Sequence, residues 1–270
     1  MGIDVVTAQQ TKARIFRTLH VSGRPLVLFN AWDPGSAKAV EAAGAAAVAT
    51  GSWSVAAAHG YPDGEQLPWS LALDNLKRIV AATPLPVSMD IESGYGNDPA
   101  GVARTMSDLL AVGAIGCNLE DSFPETGRLR EVADQAGRLR AARRVVDQTG
   151  TDAFINARID VFFQAPADRH DAAMAQVALE RARAFAAAGA DGIFLPGVVE
   201  LDLIEILAKA CPLPMNVMVG EGSPSLAALA GAGVARVSHG PGPFLAAMQA
   251  LTGLARTALS IPDAPVDVAP

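Results

Sequence analysis

The stretch "AAAGADGIFLPG", residues 186–197, contains the unit from which the whole chain is built. Alanines suited to a helix end at Gly189, which can take the left-handed conformation that stops a helix, and an apolar run begins within a few residues. The device recurs as "EAAGAAAVATG" (41–51), "AVGAIGCNLED" (111–121) and "AGAGVARVSHG" (230–240). Each reads as helix, tight turn, strand. Eight strands can be placed: "PLVLFN" (25–30), "AAVATG" (46–51), "PVSMDI" (86–91), "IGCNLE" (115–120), "AFINARID" (153–160), "GIFLPG" (192–197), "LPMNVMV" (213–219) and "ARVSHG" (235–240). Helical segments separate all of them. Strands without polar alternation belong in parallel sheets covered on both faces, and eight strand–helix units close a barrel. The expected fold is therefore α/β, a (β/α)8 TIM-type barrel forming one domain over 1–255, followed by a Pro-rich tail over 256–270. A doubly wound open sheet is the alternative, but no strand leads into a Gly-x-Gly-x-x-Gly turn.

The bulk composition narrows the function classes. Half of the residues are hydrophobic, yet no apolar run approaches the roughly 20 residues of a bilayer span. The start, "MGIDVVTAQQTKARIF", lacks the basic-then-apolar order of a signal peptide, so a cytoplasmic protein is expected. Acidic residues outnumber basic ones 28 to 21. The densest basic run, "RLRAARR" (138–144), reads as the wet face of a helix, so neither nucleic acid nor membrane is an expected partner. Cys117 and Cys211 lack metal-site spacing and are expected to be reduced and packed.

Polar residues gather at the carboxyl ends of the strands, where barrels carry their functional groups. They are Asn30, Thr50 with Ser52, Asp90 with Glu92, Asn118 with Glu120, Asn156 with Arg158 and Asp160, Asn216, and Ser238 with His239. Nearly every strand starts with apolar residues. Partners spaced by two point the same way along a strand, so these groups converge on one mouth. Asp90, Glu92 and Glu120, joined by Asp63 or Asp121, would repel one another unless a cation neutralised them. Carboxylate oxygens are hard ligands suited to magnesium or manganese. Magnesium takes few direct carboxylates, which makes Asp90 the expected direct ligand. His20, His59 and His170 lie on helices or loops away from any paired ligand, which argues against zinc. Arg158 can hold a substrate carboxylate or act as a structural partner of Glu120 or Asp160. "ATGSWS" offers backbone N–H groups at Gly51 and Ser52 to a second anionic group.

The segments "LFNAWDPGSAKAVEAAG", "ATGSWSVAAAHGYPDGE", "PVSMDIESGYGNDP", "GCNLEDS" and "INARIDVF", in this order and spacing, resemble the isocitrate lyase and phosphoenolpyruvate mutase superfamily over roughly residues 15–245. The resemblance implies a barrel whose eighth helix is exchanged with a neighbouring subunit, in homodimers or homotetramers. It also implies a magnesium ion that binds a 2-oxo acid or its enolate. By the same resemblance the metal aspartate is Asp90, with Asp63, Glu92 and Glu120 acting through water. Arg158 and the loop of Thr50, Gly51 and Ser52 bind substrate, and Trp53 and Asn216 complete the expected substrate set. Glu120, Arg158 and Tyr95 are the expected catalytic residues.

The sequence departs from the superfamily after the fourth strand. Isocitrate- and methylisocitrate-cleaving members carry a Lys-x-Cys-Gly-His loop there, and "NLEDSFPETGRLREVADQ" has neither Cys nor His. The phosphonate-processing members use Lys and Asn in that loop, and neither stands between Ser122 and Arg130. The expected activity is thus a magnesium-dependent carbon–carbon lyase or decarboxylase acting on a small 2-oxo or 2-hydroxy diacid. Tyr95, Ser238, His239 or a metal-bound water is the expected proton donor. A phosphonomutase or phosphonate hydrolase, and a non-catalytic 2-oxo acid binding protein, are the alternatives.

Overall fold

The computed structural model describes residues 2–259, with side chains from Ala8 onward. α1 (Gly2–Thr18) precedes β1 (Leu26–Leu28), α2 (Pro34–Ala42) and β2 (Val48–Ala49), and two helices follow, α3 (Ser52–Ala58) and α4 (Trp69–Ala82). Alternation then proceeds through β3 (Val87–Asp90), α5 (Pro99–Ala111), β4 (Gly116–Glu120), α6 (Val132–Thr149), β5 (Phe154–Arg158) and α7 (Ala172–Ala187). It ends with β6 (Gly192–Leu195), α8 (Leu201–Ala210), β7 (Met215–Met218), α9 (Leu226–Gly231), β8 (Arg236–Ser238) and α10 (Gly242–Leu259). The strands form one parallel sheet in which β1 pairs with β8, and a single parallel bridge between Ala31 and Thr50 links β1 to β2. All eight expected strands are present, trimmed at their ends. The stop device works as the sequence implies: Gly44, Gly113, Gly189 and Gly233 have φ of +91°, +96°, +100° and +92°.

The main core lies between the outer face of the strands and the helices. A second cluster closes the bottom of the barrel, where Ala13 and Phe16 of α1 pack on Leu26, Leu28, Ala49, Ile115 and Phe154. His20 stacks on Phe154 at 4.2 Å. Burial, with Arg236 nearby, pushes its imidazole down to about 3, so it is a neutral packing residue. Both cysteines are free, and burial pushes the Cys117 and Cys211 thiols up to about 12 and about 11. Among the described residues no helix is long and apolar enough to cross a membrane. α10 continues through Leu259, and the rest of the Pro-rich tail lies outside the described residues.

The basic run 138–144 is not a uniformly wet face. Arg140 and Arg144 are exposed, but Arg138 is fully buried and donates to the carbonyls of Ser93 and Gly96 (2.9 Å for the latter). A periodicity reading treats every Arg as solvent-facing. Here the guanidinium satisfies carbonyls that the turn after β3 leaves without partners. The same turn depends on close backbone approach. A Cβ on Gly96 would lie 2.6 Å from Cα of Gly101, and one on Gly101 would lie 2.7 Å from Cα of Gly96. Gly101→Ala is therefore expected to cost about 1–3 kcal/mol through overpacking. Gly137→Ala, with only Pro99 Cγ at 3.9 Å, should be neutral or stabilising by up to about 1 kcal/mol. Thermal unfolding of the two variants checks the contrast, and equal melting temperatures would refute it.

Candidate active site

β3 delivers Asp90 to the barrel mouth and fixes it locally. Its backbone N–H donates to Thr50 Oγ1 at 3.1 Å, and its Oδ1 accepts the N–H of Glu92 at 3.2 Å. Ser52 N approaches Oδ2 at 3.5 Å. The chain then turns through Glu92 and Tyr95, at φ of +50° and +49°, and the facing loop holds Glu65 at +59°. Left-handed backbone at a residue with a side chain costs energy, of order 1–3 kcal/mol each, and persists only where surrounding bonds enforce it. Those bonds are present. Glu65 N donates to Glu92 Oε2 (2.6 Å), while Glu65 Oε1 accepts from Ser93 Oγ (2.7 Å) and Tyr95 N (2.8 Å). Tyr95 Oη donates to Glu92 Oε1 at 2.9 Å. The 60–65 loop and the turn after β3 thus brace each other, and Asp63 is carried to the mouth on the braced loop.

β4 and β5 supply the charged wall. Arg158 donates to Glu120 Oε2 at 2.8 Å and to Asp160 Oδ1 at 2.6 Å, and its guanidinium lies over the Phe163 ring at 5.0 Å. Both carboxylates and the arginine are largely buried. Asp121, one residue beyond Glu120, faces the other way. It pairs with Arg181 at 2.7 Å beneath the helices and accepts the Asp160 N–H at 2.9 Å, so of the two candidates to join the acidic cluster the geometry selects Asp63.

The charges are unbalanced. Burial, with Asp63 and Asp90 adding to it, pushes Glu92 up to about 7. Burial also raises Asp90, with Asp63 adding to it against the pull of Arg158. Glu120 is raised by burial, with Asp160, Asp90 and Glu92 behind it. The Arg158 guanidinium is held firmly charged by Glu120, Asp160 and Asp90 despite its burial. A carboxylate cluster short of positive charge is the electrostatic complement of a divalent cation. No three Asp, Glu, His or Cys side chains among the described residues converge closely enough to cage an ion. The donor set nevertheless fits magnesium, which takes one or two carboxylates and keeps several waters.

These elements surround a cavity of about 170 Å³. Its polar lining includes Asp63, Asp90, Asn118, Arg158 and Ser238, with Gly51 and Ser52 at the rim. Trp53, Phe163, Phe194, Met218 and Pro241 supply an apolar surround. Of the expected site residues, Asp63, Asp90, Arg158, Gly51, Ser52 and Trp53 line this space. Glu92, Glu120 and Thr50 stand behind it as partners of those that do. Tyr95 is occupied with Glu92, its hydroxyl held well above its usual range by burial and by that carboxylate. Asn216 lies deeper, fully buried against Ser238 at 3.2 Å. The ring of His239 faces outward onto Phe29 at 5.0 Å, so of Tyr95, Ser238 and His239 only Ser238 lines the cavity.

Sequence reading missed two residues. Glu65 sits in a loop whose bracing role depends on contacts about 30 positions away. Arg236 begins β8, where an apolar residue is expected, and is 1 % exposed inside the barrel. A usable signal existed, since Arg236 stands two residues before Ser238 and so shares its face.

Residues 16–259 match the family model described as phosphoenolpyruvate phosphomutase. The chain is 55% identical to a Burkholderia cenocepacia J2315 protein of known structure, provisionally named a phosphonomutase. The TM-score is 0.91 over 93% of this chain and 99% of that one. It is 32% identical to an oxaloacetate decarboxylase of Bradyrhizobium sp. strain BTAi1, covering 74% of this chain and 68% of the relative. A phosphonopyruvate hydrolase solved with oxalate and magnesium is 26% identical, with a TM-score of 0.79 over 92% of this chain and 87% of that one.

Proposed function

The chain belongs to the phosphoenolpyruvate phosphomutase family, within the superfamily of carbon–carbon lyases and mutases, and on that premise we propose a divalent-cation-dependent lyase or decarboxylase of a small 2-oxo or 2-hydroxy diacid. The observation that carries this reading is the charge arrangement of the mouth. An underneutralised carboxylate cluster around Asp90 faces one arginine across a cavity with room for only a few carbon atoms. Asp90 would hold the cation directly, with Asp63, Glu92 and Glu120 acting through water. Bound there, magnesium would supply Lewis-acid polarisation of the 2-oxo oxygen. Arg158 has committed Nε and Nη1 to Asp160 and Glu120, which leaves the outer edge of its guanidinium to orient a substrate carboxylate. Phe194, buried, and Met218 would shield the reacting carbon from water, with the more exposed Trp53 and Phe163 beside them.

Decarboxylation is favoured over phosphoryl chemistry by the cation count. Phosphoryl transfer depends on several cations about the moving group, and among the described residues Arg158, already paired with two carboxylates, is the only cationic side chain lining the cavity. The loop from Ser122 to Arg130 is compact and pinned. Ser122 pairs with Leu129, Ser122 Oγ donates to Asp160 at 2.6 Å, and Arg130 stacks on Phe123 at 4.0 Å. Proton NMR with magnesium and a panel of oxaloacetate, 2-methylisocitrate, 2,3-dimethylmalate and phosphonopyruvate tests the reading. Pyruvate from oxaloacetate is the expected outcome, whereas turnover of phosphonopyruvate alone would replace it with a phosphonate hydrolase.

Cation binding should be linked to pH. Because Glu92 titrates near 7 in the folded chain, above its value of about 4.5 when unfolded, its contribution to stability is fully present below about pH 4.5. It is lost as pH rises through 7. A cation that displaces the site's protons restores the loss. Magnesium is therefore expected to raise the melting temperature by several degrees at pH 8 and by almost nothing at pH 5.5. A larger effect at pH 5.5 would contradict the assignment.

We also propose exchange of α10 between subunits. An apolar stripe on this helix, Leu245, Met248, Leu251 and Leu254, is exposed, Leu254 to 72 %. A groove of about 760 Å³ lined by Leu19, Pro25, Val27, Phe29 and Val40 runs along the outer side of β1. The two faces complement each other if α10 of one copy lies on the barrel of the next. Light scattering should give a dimer or tetramer, and Leu251→Asp with Leu254→Asp should give monomers. A monomeric unaltered chain would end the proposal.

A further inference from the structure

The interior of the barrel beneath the candidate site is polar, and Arg236 organises it. Its Nη2 donates to Asn118 Oδ1 at 3.2 Å, and its Nε donates to Ser238 Oγ at 3.4 Å. Asn118 and Ser238 both line the cavity floor. Arginine carries donors and no acceptor, so the Asn118 atom that faces it must be the carbonyl oxygen. The same oxygen accepts Asn156 Nδ2 at 2.9 Å, and the amide is pinned from two sides. With Oδ1 engaged by both Asn156 and Arg236, Nδ2 is the end of the Asn118 amide left for the cavity that this residue lines.

We infer that Arg236 is a positioning residue whose function is to lock the Asn118 amide with its N–H donors facing the ligand. The deep end of the cavity then selects a substrate that places an acceptor oxygen, carboxylate or carbonyl, at that point. A ligand that placed a methyl group there would leave the amide unpaired in a dry site. The neighbouring bonds support the division of labour. Ser238 is held by Arg236 and by Asn216, at 3.2 Å from its Nδ2, so the floor is set by side chains that do not themselves reach the ligand. The Arg236 guanidinium also lies over the Phe16 ring at 6.0 Å, and α1 thereby supports the keying residue from below.

This inference rests on the proposed binding of a 2-oxo acid at the mouth. Its test is the affinity for oxalate with magnesium, measured calorimetrically for the unaltered protein, Arg236→Met, Arg236→Lys, Asn118→Ala and the double variant Arg236→Met with Asn118→Ala. Arg236→Met is expected to weaken oxalate binding at least about 10-fold, the loss of one hydrogen bond to a charged ligand. Arg236→Lys, which keeps a donor toward Asn118, should recover most of that loss. The double variant should bind no more weakly than Asn118→Ala alone, because Arg236 acts through the amide. A merely structural arginine would lower the melting temperature without this coupling. Unchanged affinity in Arg236→Met, or additive losses in the double variant, would overturn the inference while leaving the proposed function intact. Absence of oxalate binding by the unaltered protein would overturn both. Should Arg236→Met not fold, Arg236→Gln takes its place in the cycle. Its amide can turn either a donor or an oxygen toward Asn118, so a loss between those of the lysine and methionine variants is expected, and unchanged affinity or additive losses with Asn118→Ala would still overturn the inference.

Discussion

Asp90→Asn should fold as well as the parent chain and lose turnover by at least about 10³-fold, together with its magnesium-dependent rise in melting temperature. The two halves of this expectation have one cause. Asp90 is buried beside Asp63 with Glu92 close by, and burial holds its carboxyl up, so the metal-free fold gains nothing from the charge. Asparagine keeps the size of the side chain and an oxygen for the N–H of Glu92. The variant should melt at the same temperature as the metal-free parent or slightly above it, as expected where function holds a destabilising group in place. A large drop in melting temperature would make Asp90 a structural residue, and retained turnover would move the metal ligand elsewhere.

Arg158→Met has a different signature, because stability and activity should fall together. Removing the guanidinium leaves Glu120 and Asp160 facing each other in a nearly dry wall, and breaking a buried pair by deleting one partner costs about 3–5 kcal/mol. For a chain of this size that lowers the melting temperature by roughly 10 °C. Turnover should disappear because the substrate carboxylate loses its fork. Arg158→Lys separates the two contributions. The ammonium can neutralise one carboxylate and recover part of the stability, but it cannot serve both walls and the substrate, so activity should stay low. Full activity in the lysine variant would restrict Arg158 to the structural role that its two ion pairs already establish.

The fold was legible because its signals are local. The glycine after each helix sets a backbone sign within one turn, and all four quoted repeats place it in the left-handed region. Strand-end carboxylates and Arg158 were legible for the same reason, since alternation along a strand decides which way a side chain points. That rule also separates Glu120 from Asp121 once the register is known, and Ser238 from His239, whose ring packs outside on Phe29. What stayed hidden depends on contacts between distant segments. Glu65 is defined by the turn it braces, Arg138 by carbonyls more than 40 positions away, and Arg236 by Asn118, 118 positions away. A buried arginine looks like any other in sequence until the acceptors around it are known.

Crystals of the protein soaked with manganese and oxalate, with diffraction recorded at a wavelength where manganese scatters anomalously, decide whether the barrel mouth binds a divalent cation at Asp90. The expected result is one anomalous peak within coordination distance of the Asp90 carboxylate, reached by Asp63, Glu92 and Glu120 through water, with oxalate between the ion and Arg158. A peak elsewhere, or none at millimolar manganese, would contradict the reading of the barrel mouth as a divalent-cation site for 2-oxo acids.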